Sequence, residues 1–324
     1  MDAFVALATV GMITAGFEPP KRPQHYPPLP PLPSEPVAVS PGQPAPTPPA
    51  PKPAPAPSTS NAPTPPPGRQ PGNTAQTIGP QIVFKPLIIA PDRPGFSDST
   101  GIAPIGYLQL ETGYTFTFRD RDGVQTTTHN GPEVLARVGL LSDRLEIRVG
   151  TAGYVWRHTD DGVQGTNASG FADPFAGIKL KVMDQKGWAP RLAFEAVTTM
   201  SAGGREVSNR SVEPTFKLLA SWELGKKLTL TLNGNLTYAS SNGDRFVQGA
   251  GSALLSYAVN DKLSVFGEYF VVGPHDKGTD AAHSVDFGAA YLIDSRIQLD
   301  ARVGAGINNA ADNVFVGCGI SVLF

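Results

Sequence analysis

Long stretches in which apolar and polar residues alternate are the feature that most restricts how this chain can fold. From residue 105 the sequence IGYLQLETGYTFTFR places Leu108, Leu110 and Tyr114 on one face and Gln109 and Glu111 on the other. A period of two residues is typical of a β-strand whose two faces meet different environments. Strands of soluble proteins have about five or six residues, so the pattern predicts unusually long strands.

The alternation recurs to the end of the chain and predicts twelve strands. Short turns of similar form occur at LLSDRLEI, ELGKKLTL, VNDKLSV and IDSRIQL, with DQKGW as a looser copy. Longer polar loops are expected at 119–131, 158–172, 201–210, 240–245, 273–282 and 307–313. The predicted strands are approximately 105–119, 132–141, 144–157, 173–184, 189–200, 211–223, 227–239, 245–259, 262–272, 283–294, 296–306 and 313–324.

An even number of long strands, with short turns at one end and long loops at the other, indicates an outer-membrane β-barrel. A soluble sandwich would also alternate, but its strands would be shorter. Aromatic residues of the apolar face cluster near both strand ends, as at the two lipid–water interfaces, and the last alternating strand ends on Phe324. The predicted fold class is therefore all-β: a transmembrane antiparallel β-barrel of about 12 strands, preceded by a disordered Pro-rich segment.

The part before the barrel has a different composition. Residues 1–17 form a signal-like apolar segment, although Asp2 stands where a basic residue is expected, so a disordered start is the alternative. Residues 18–80 hold 24 of the 33 prolines and are expected to be a disordered, extended linker. Residues 81–103 form a pre-barrel segment, and 104–324 form the barrel. No apolar run reaches the length of about 18 residues that a membrane-spanning helix needs.

The stretches PDRPGFSDST (91–100), GYLQLETGYTF (106–116), VGLLSDRLEIRVGTAGY (138–154) and DPFAGIKLK (173–181) resemble a known family. They are similar to the outer-membrane transporters named for the meta-cleavage pathway of phenol degradation. The resemblance extends from about residue 90 to the C-terminus. It implies a bacterial outer-membrane β-barrel with a role in the passage of small solutes, but it supplies no ligand residues, and the Pro-rich segment departs from the usual pattern.

The polar face of the predicted strands points inward and carries charges of both signs. Opposed charges across a narrow lumen would orient dipolar solutes. The alternative is that these charges form ion pairs that fill a small barrel. Barrels of eight strands are filled by side chains and barrels of sixteen contain an aqueous channel, so a count of twelve does not decide between the two. The near balance of signs argues against strong ion selectivity. The expected lumen-lining residues are Glu111, Arg137, Glu146, Arg148, Lys179, Lys181, Arg191, Glu195, Lys217, Glu268, Asp286, Asp300 and Arg302.

The segment 81–101, QIVFKPLIIAPDRPGFSDSTG, matches no spanning pattern. One hypothesis is that it folds into the periplasmic mouth as a plug, with Asp92 and Arg93 paired to charges of the wall. A periplasmic collar or a short extra strand is an equal alternative.

Catalytic and cofactor chemistry finds no support in the sequence. His283 and Ser284 are adjacent and therefore lie on opposite faces of a strand, and no nucleophile-elbow, zinc-protease or phosphate-loop motif occurs. The five histidines share no metal-ligand spacing, and Cys318 is a small lipid-facing residue. We therefore expect no catalytic residues, no cofactor, no metal and no enzymatic activity.

The expected function is passive or facilitated diffusion of small solutes, hydrophobic or aromatic compounds among them, across a bacterial outer membrane. The Pro-rich segment would lie in the periplasm. The expected partners are outer-membrane lipid, the barrel-insertion machinery, a small-molecule solute and, through the Pro-rich segment, the cell wall; the formal net charge of −2 suggests no nucleic acid. The alternative is a closed structural barrel that anchors the outer membrane to the wall through the Pro-rich arm.

Overall fold

A computed structural model describes residues 88–140, 143–241, 243–274 and 279–324 of the chain. The predicted signal-like segment, the Pro-rich linker and residues 81–87 lie outside the described residues. Among those that are described, no helix is long and apolar enough to cross a membrane.

In the part of the chain that the structure describes, fourteen β-strands form one antiparallel sheet. They are β1 (Leu108–Arg121), β2 (Val124–Leu140), β3 (Leu145–Thr151), β4 (Tyr154–Asp160), β5 (Gly165–Phe171), β6 (Pro174–Met183), β7 (Arg191–Thr199), β8 (Glu213–Glu223), β9 (Leu228–Ser241), β10 (Asp244–Ala258), β11 (Leu263–Val272), β12 (Ala282–Asp294), β13 (Ile297–Gly306) and β14 (Val314–Leu323).

Twelve of these strands close into a ring, because β1 pairs with both β2 and β14. At the seam Phe324 N–H donates to the Leu108 carbonyl at 2.8 Å. The ring follows chain order except that β3 pairs directly with β6. The β4–β5 hairpin continues the sheet from the upper part of β2, with which β4 pairs. The prediction of an all-β, twelve-stranded antiparallel barrel is confirmed.

Two of the predicted long loops are wrong, because residues 119–131 and 158–172 are largely strand. The first is a hairpin that turns at Asp122 and Gly123, whose φ angles of 53° and 82° suit a tight two-residue turn. The second forms most of the β4–β5 hairpin. Both segments are polar on both faces, so they lack the apolar alternation by which the other strands were identified.

The barrel is apolar outside and polar inside. Along β9 the side chains of Asn233 and Asn235 are buried within the barrel, whereas Leu236 and Tyr238 on the outer face are 58% and 49% exposed. Most of the buried apolar residues that the structure describes fall into four small clusters rather than one core. This inverted distribution is what a lipid-facing barrel requires.

Candidate functional site: a segment inside the barrel

Residues 88–103, which we call the inner segment, lie inside the barrel without forming a strand. Near its start Ile89 N–H donates to the carbonyl of Ser295 in a short turn, at 2.9 Å. At its end Ala103 N–H donates to the Glu146 carboxylate at 2.7 Å. Prolines 91 and 94 cannot donate to a β-ladder, so the segment bonds to side chains of the wall instead. It therefore extends through the lumen from the short-turn end, where Ile89 lies, toward Phe270 and Phe315 near the long-loop ends of β11 and β14.

Asp92 connects the inner segment to basic side chains of the wall. Its carboxylate accepts a hydrogen bond from Lys179 Nζ at 2.9 Å and pairs with Arg148, and Arg137 Nη1 lies 3.8 Å away. The N–H and hydroxyl of Ser99 also donate to it, at 2.9 and 2.7 Å, which closes the segment into a compact loop. Burial by itself would raise the pKa of Asp92, but the three basic side chains outweigh burial and hold it well below its usual value.

Arg93 points to the neighbouring part of the wall, formed by β13, β14, β1 and β2. Its Nη1 donates to Glu133 at 2.5 Å, its Nε lies 3.4 Å from Asp300, and its Nη2 donates to the Cys318 carbonyl at 2.9 Å. Asp92 is thus held by basic side chains of β2, β3 and β6. Arg93, the next residue, is held by acidic side chains of β2 and β13. This arrangement fixes the rotation of the segment about its own axis.

The guanidinium of Arg93 fits between two glycines of the wall. A Cβ placed on Gly113 would lie 2.3 Å from Arg93 Cζ, and one on Gly319 would lie 2.4 Å from Arg93 Nε. Any larger residue at either position would displace the guanidinium. The two glycines face each other across the β1–β14 seam. The space that they leave for the Arg93 guanidinium is the slot of the wall.

Phe96 and Ser97 bind the wall through Glu268 on β11. The carboxylate of Glu268 accepts the backbone N–H groups of both residues, at 2.5 and 2.7 Å, and also the Ser97 hydroxyl. The Ser97 and Ser252 hydroxyls form a further hydrogen bond of 2.7 Å. Hydrogen bonds to a carboxylate are stronger than those between neutral groups, so this contact is a second anchor of the segment.

The ring of Phe96 completes an aromatic cluster in the lumen. It stacks on Phe270 with a centroid distance of 4.4 Å and an interplanar angle of 2°. Phe315 lies 5.9 Å from Phe270 and Val272 closes the cluster, which leaves Phe96 only 2% exposed. Both wall rings project inward, among polar neighbours, and Phe96 is the residue that covers them.

Asp98 forms a third anchor, to Lys217 on β8. The ammonium of Lys217 pairs with Asp98 and lies 3.1 Å from Glu195, while Asn233 Nδ2 donates to the Asp98 carbonyl at 3.2 Å. Burial would raise the pKa of Asp98, but the charge of Lys217 opposes it and the pKa is held below its usual value. Both carboxylates of the inner segment are therefore ionised partners of buried cations.

The wall also carries ion pairs of its own. Arg137 donates to Glu111 and Glu146, each at 2.9 Å, and reaches the Ala90 and Gly101 carbonyls of the inner segment at 2.7 and 2.9 Å. Arg137 is fully buried, and a buried ionic side chain is stable only when its donors are satisfied. Two backbone carbonyls of the inner segment accept hydrogen bonds from Arg137 and so meet part of this requirement.

The structure brings most of the predicted lumen-lining residues into this network. Those that contact the inner segment are Glu111, Arg137, Glu146, Arg148, Lys179, Lys217, Glu268 and Asp300. Glu195 pairs with Arg148 and Lys217, and Asp286 pairs with Arg302 at 3.3 Å. Lys181 and Arg191 instead lie at the short-turn rim, where they pair with Asp184.

Several contact residues were missed by reasoning from the sequence. They are Phe96, Ser97, Asp98 and Thr100 in the inner segment, and Gly113, Ser221, Asn233, Ser252 and Gly319 in the wall. The acidic Asp98, six residues after Asp92, was a usable signal, because it is a second aspartate in a segment that was expected to pair with charges of the wall. The contacts of the uncharged residues depend on strand register, and nothing in the sequence identifies them separately.

Three buried carboxylates have the spacing of a cation site. Single oxygens of Asp92, Asp98 and Glu195 lie within 4.8 Å of one another. Lys179, Arg148 and Lys217 donate to them, however, and these basic groups take the positions that a metal ion would use. His283 and Ser284 do not meet, because His283 bonds Tyr269 on the outer face while Ser284 is buried inside.

Comparison with solved structures gives the same architecture. The COG4313 outer membrane channel from Pseudomonas putida F1 is 14% identical with a TM-score of 0.55, and the match covers 72% of this chain and 99% of that one. The NanC porin is 11% identical (TM-score 0.41; 66% and 98% covered). The CymD monoaromatic hydrocarbon channel is 10% identical (TM-score 0.37; 67% and 87% covered). No curated protein sequence matches significantly.

A family model gives the more specific result. It matches residues 91–324, which include the inner segment from its fourth residue and every strand of the barrel. Because this match extends over most of the chain, the protein belongs to the family described as "Putative MetA-pathway of phenol degradation".

Proposed function

We propose that this protein is an outer-membrane channel for diffusion of small solutes and that the inner segment is its plug. The observation that carries the proposal is that residues 88–103 lie in the lumen without being a strand of the wall and are held there by three anchors, at the Asp92–Arg93 pair, at Glu268 and at Asp98. The ring of strands closes without it. Removal of the segment would therefore open the lumen while leaving the ladder of the barrel unchanged.

Aromatic compounds are the solutes that we propose for this channel. Phe96 lies flat against Phe270 in a mostly polar lumen, and next to it the Ser97 hydroxyl donates to Glu268. The side chains of Phe96 and Ser97 thus already place an aromatic ring and a hydroxyl group side by side against the wall. When the segment leaves, the exposed faces of Phe270 and Phe315 offer a stacking site for a planar solute.

The barrel fold supports the setting that we propose. The protein would lie in a bacterial outer membrane, delivered by the barrel-insertion machinery, with the short turns and the Pro-rich segment on the periplasmic side. That segment would reach toward the cell wall. The channel needs neither a cofactor nor an enzymatic step, and solute flux would follow the concentration gradient.

The proposal is tested by single-channel conductance of the full chain in a planar bilayer, compared with a variant that lacks residues 81–101. We expect rare or no openings from the full chain and stable, discrete steps from the variant. Dissolved phenol should interrupt the variant's current, whereas an aliphatic alcohol should not. Deletion of residues 41–61, an equally long piece of the Pro-rich segment, is the matched control and should conduct as the full chain does.

Two results would contradict the proposal. Equal conductance of the full chain and the variant would exclude a plug. Silence from a correctly folded variant would favour the alternative, a closed structural barrel that anchors the membrane through the Pro-rich arm. The ion pairs between strands, such as Asp286–Arg302 and Glu195–Lys217, are the observation that favours this alternative, because they fill space without the plug.

A further inference from the structure

Arg119, on the inner face of β1 near the long-loop end, is a buried cation with an unused hydrogen-bond donor. The residue is 4% exposed, and among the residues that the structure describes its Nε has no hydrogen-bond partner. Its ion-pair partner is the Asp312 carboxylate, which lies 4.0 Å from Nη1 and is therefore beyond hydrogen-bond distance. Buried donors are almost always paired in native structures, so this guanidinium is suited to a partner that enters from solution.

Arg157 supplies a second guanidinium near the same level of the lumen. It lies on β4 opposite Thr128, which in turn lies opposite Thr117 on β1, so Arg119 and Arg157 are two strands apart. At about 4.8 Å between neighbouring strands, two long side chains can reach one small anion between them. The positive charge of Arg157 also acts on Asp312, so both guanidinium groups lie around this carboxylate.

The surroundings of the two arginines are polar and lie apart from the contacts of the inner segment. Thr115, Thr128 and Asn130 are buried on the inner faces of β1 and β2, and the hydroxyl of Thr115 has no hydrogen-bond partner in the described part of the chain. None of the hydrogen bonds and ion pairs described above for the inner segment involves these side chains. The Asp312 side chain is 17% exposed, so the cluster meets solution at the long-loop end even while the inner segment is in place.

The two arginines lie on the long-loop side of the aromatic cluster. Phe315 on β14 is opposite Thr117 on β1, and Arg119 is the next inward-facing residue after Thr117. Two residues of a strand span about 7 Å, so Arg119 lies roughly that far from the level of Phe315. The carboxylate and the ring of one small aromatic acid can therefore meet both features in succession.

We propose that Arg119 and Arg157 form a subsite that binds the carboxylate of small organic acids, aromatic acids above all, where they enter the lumen from the long-loop end. This inference rests on the proposed channel function and narrows the class of its solutes. A carboxylate accepts two parallel N–H bonds from a guanidinium, which Asp312 at 4.0 Å does not. An uncharged arene would find only the aromatic cluster, whereas an aromatic acid fits both sites.

Binding of radiolabelled benzoate to the purified full chain in detergent, measured by equilibrium dialysis, tests the subsite. Benzyl alcohol is an uncharged solute of similar size, and we expect it to bind at least about tenfold more weakly, since hydrogen bonds between charged groups are the stronger ones. Arg119→Gln should weaken benzoate binding about tenfold. Arg121→Gln is the matched control, because it removes the same charge at the next inward position. The Arg121 side chain is 34% exposed and pairs with Asp122, so benzoate binding should change less than about twofold.

Asp312→Asn separates a binding role of Arg119 from a structural one. In the proposed subsite Asp312 competes with the solute for the two guanidinium groups, so its neutral replacement should raise the affinity for benzoate about threefold, whereas Arg119→Gln lowers it. If Arg119 served only to pair with Asp312, both substitutions would break the same pair and would shift benzoate binding in the same direction. Because Asp312→Asn keeps Arg119 in place, it gives a result even if Arg119→Gln does not fold.

Three outcomes would overturn the subsite. They are benzoate binding that is no tighter than that of benzyl alcohol, a loss in Arg119→Gln that is no larger than in Arg121→Gln, and a fall in benzoate affinity in Asp312→Asn. The channel function is judged separately, by the conductance of the variant that lacks residues 81–101. Silence of that variant together with benzoate binding that depends on Arg119 would reject the channel and leave the subsite as a binding site.

Discussion

At the scale of single residues, the inner segment depends on positions where the wall has no side chain. Arg93 reaches Glu133 and Asp300 only because Gly113 and Gly319 leave room for its guanidinium. The sequence led to Asp92 and Arg93 as candidates for pairing with the wall, since an aspartate and an arginine stand next to each other among mostly uncharged residues. Their partners could not be named, because the partner of a side chain in the lumen depends on strand register and tilt.

Gly113→Ala is the residue-scale test of this slot. The added methyl would meet the guanidinium of Arg93 at 2.3 Å, so we expect the Glu133 and Asp300 contacts to be lost and the inner segment to loosen. Loss of a partner from a buried ion pair costs about 3–5 kcal/mol, enough to raise the open probability of the full chain in a bilayer. Gly317→Ala is the matched control, because its methyl would meet its nearest neighbours at 3.4 Å, an ordinary contact.

An unchanged open probability for Gly113→Ala would contradict the assignment of Arg93 as an anchor. The result is informative only if both variants fold, which heat-modifiable migration in detergent gels can verify.

At the scale of elements, the strands with one apolar face were predicted and the polar hairpins were not. Alternation gave the twelve strands of the ring, and the count is confirmed. It failed for residues 119–131 and 158–172, where both faces are polar. The turn at Asp122–Gly123 was the available signal, since an Asp–Gly pair favours a tight hairpin. The loop-side ends of β7 and β8 were predicted to within two residues, at 200 and 211 against Thr199 and Glu213.

The loop between β13 and β14 is expected to respond to pH in a direction opposite to ordinary acid unfolding. Burial raises the pKa of Asp312 to about 6, although Arg119, 4.0 Å away, and Arg157 partly oppose it. The native state therefore binds a proton more tightly than the unfolded state, and the stability contributed by this group falls as pH rises from about 4 to 6.

Asp312→Asn removes this effect. Each pKa unit corresponds to about 1.4 kcal/mol, so we expect the variant to be more stable than the wild type by roughly 1–3 kcal/mol at pH 8 and equally stable at pH 4. Thermal unfolding in detergent, followed by circular dichroism at both pH values, checks this. A wild type that is the more stable of the two at pH 8 would show that the ion pair with Arg119 outweighs burial.

At the scale of the whole molecule, each charged residue of the inner segment faces wall charges of the opposite sign. Arg148, Lys179 and Lys217 lie on β3, β6 and β8 and bind Asp92 and Asp98, whereas Asp300 lies on β13 and faces Arg93. The sequence predicted closure of the barrel, which is confirmed. It left open whether a twelve-stranded lumen is open or filled, because that depends on which charges meet across the lumen and not on the number of strands.

This match leads to a prediction for the separated parts. A synthetic peptide with the sequence of residues 88–103, added on the short-turn side of the variant that lacks residues 81–101, should block its conductance. The block should weaken as salt is raised, because the free peptide must find the lumen through charges that salt screens. A peptide in which Asp92 and Arg93 are exchanged has the same composition and net charge but places each beside a like charge, so it should block poorly. Equal block by both peptides would mean that only the size of the peptide matters. The wall charges that face Asp92 and Arg93 would then have no part in closing the channel.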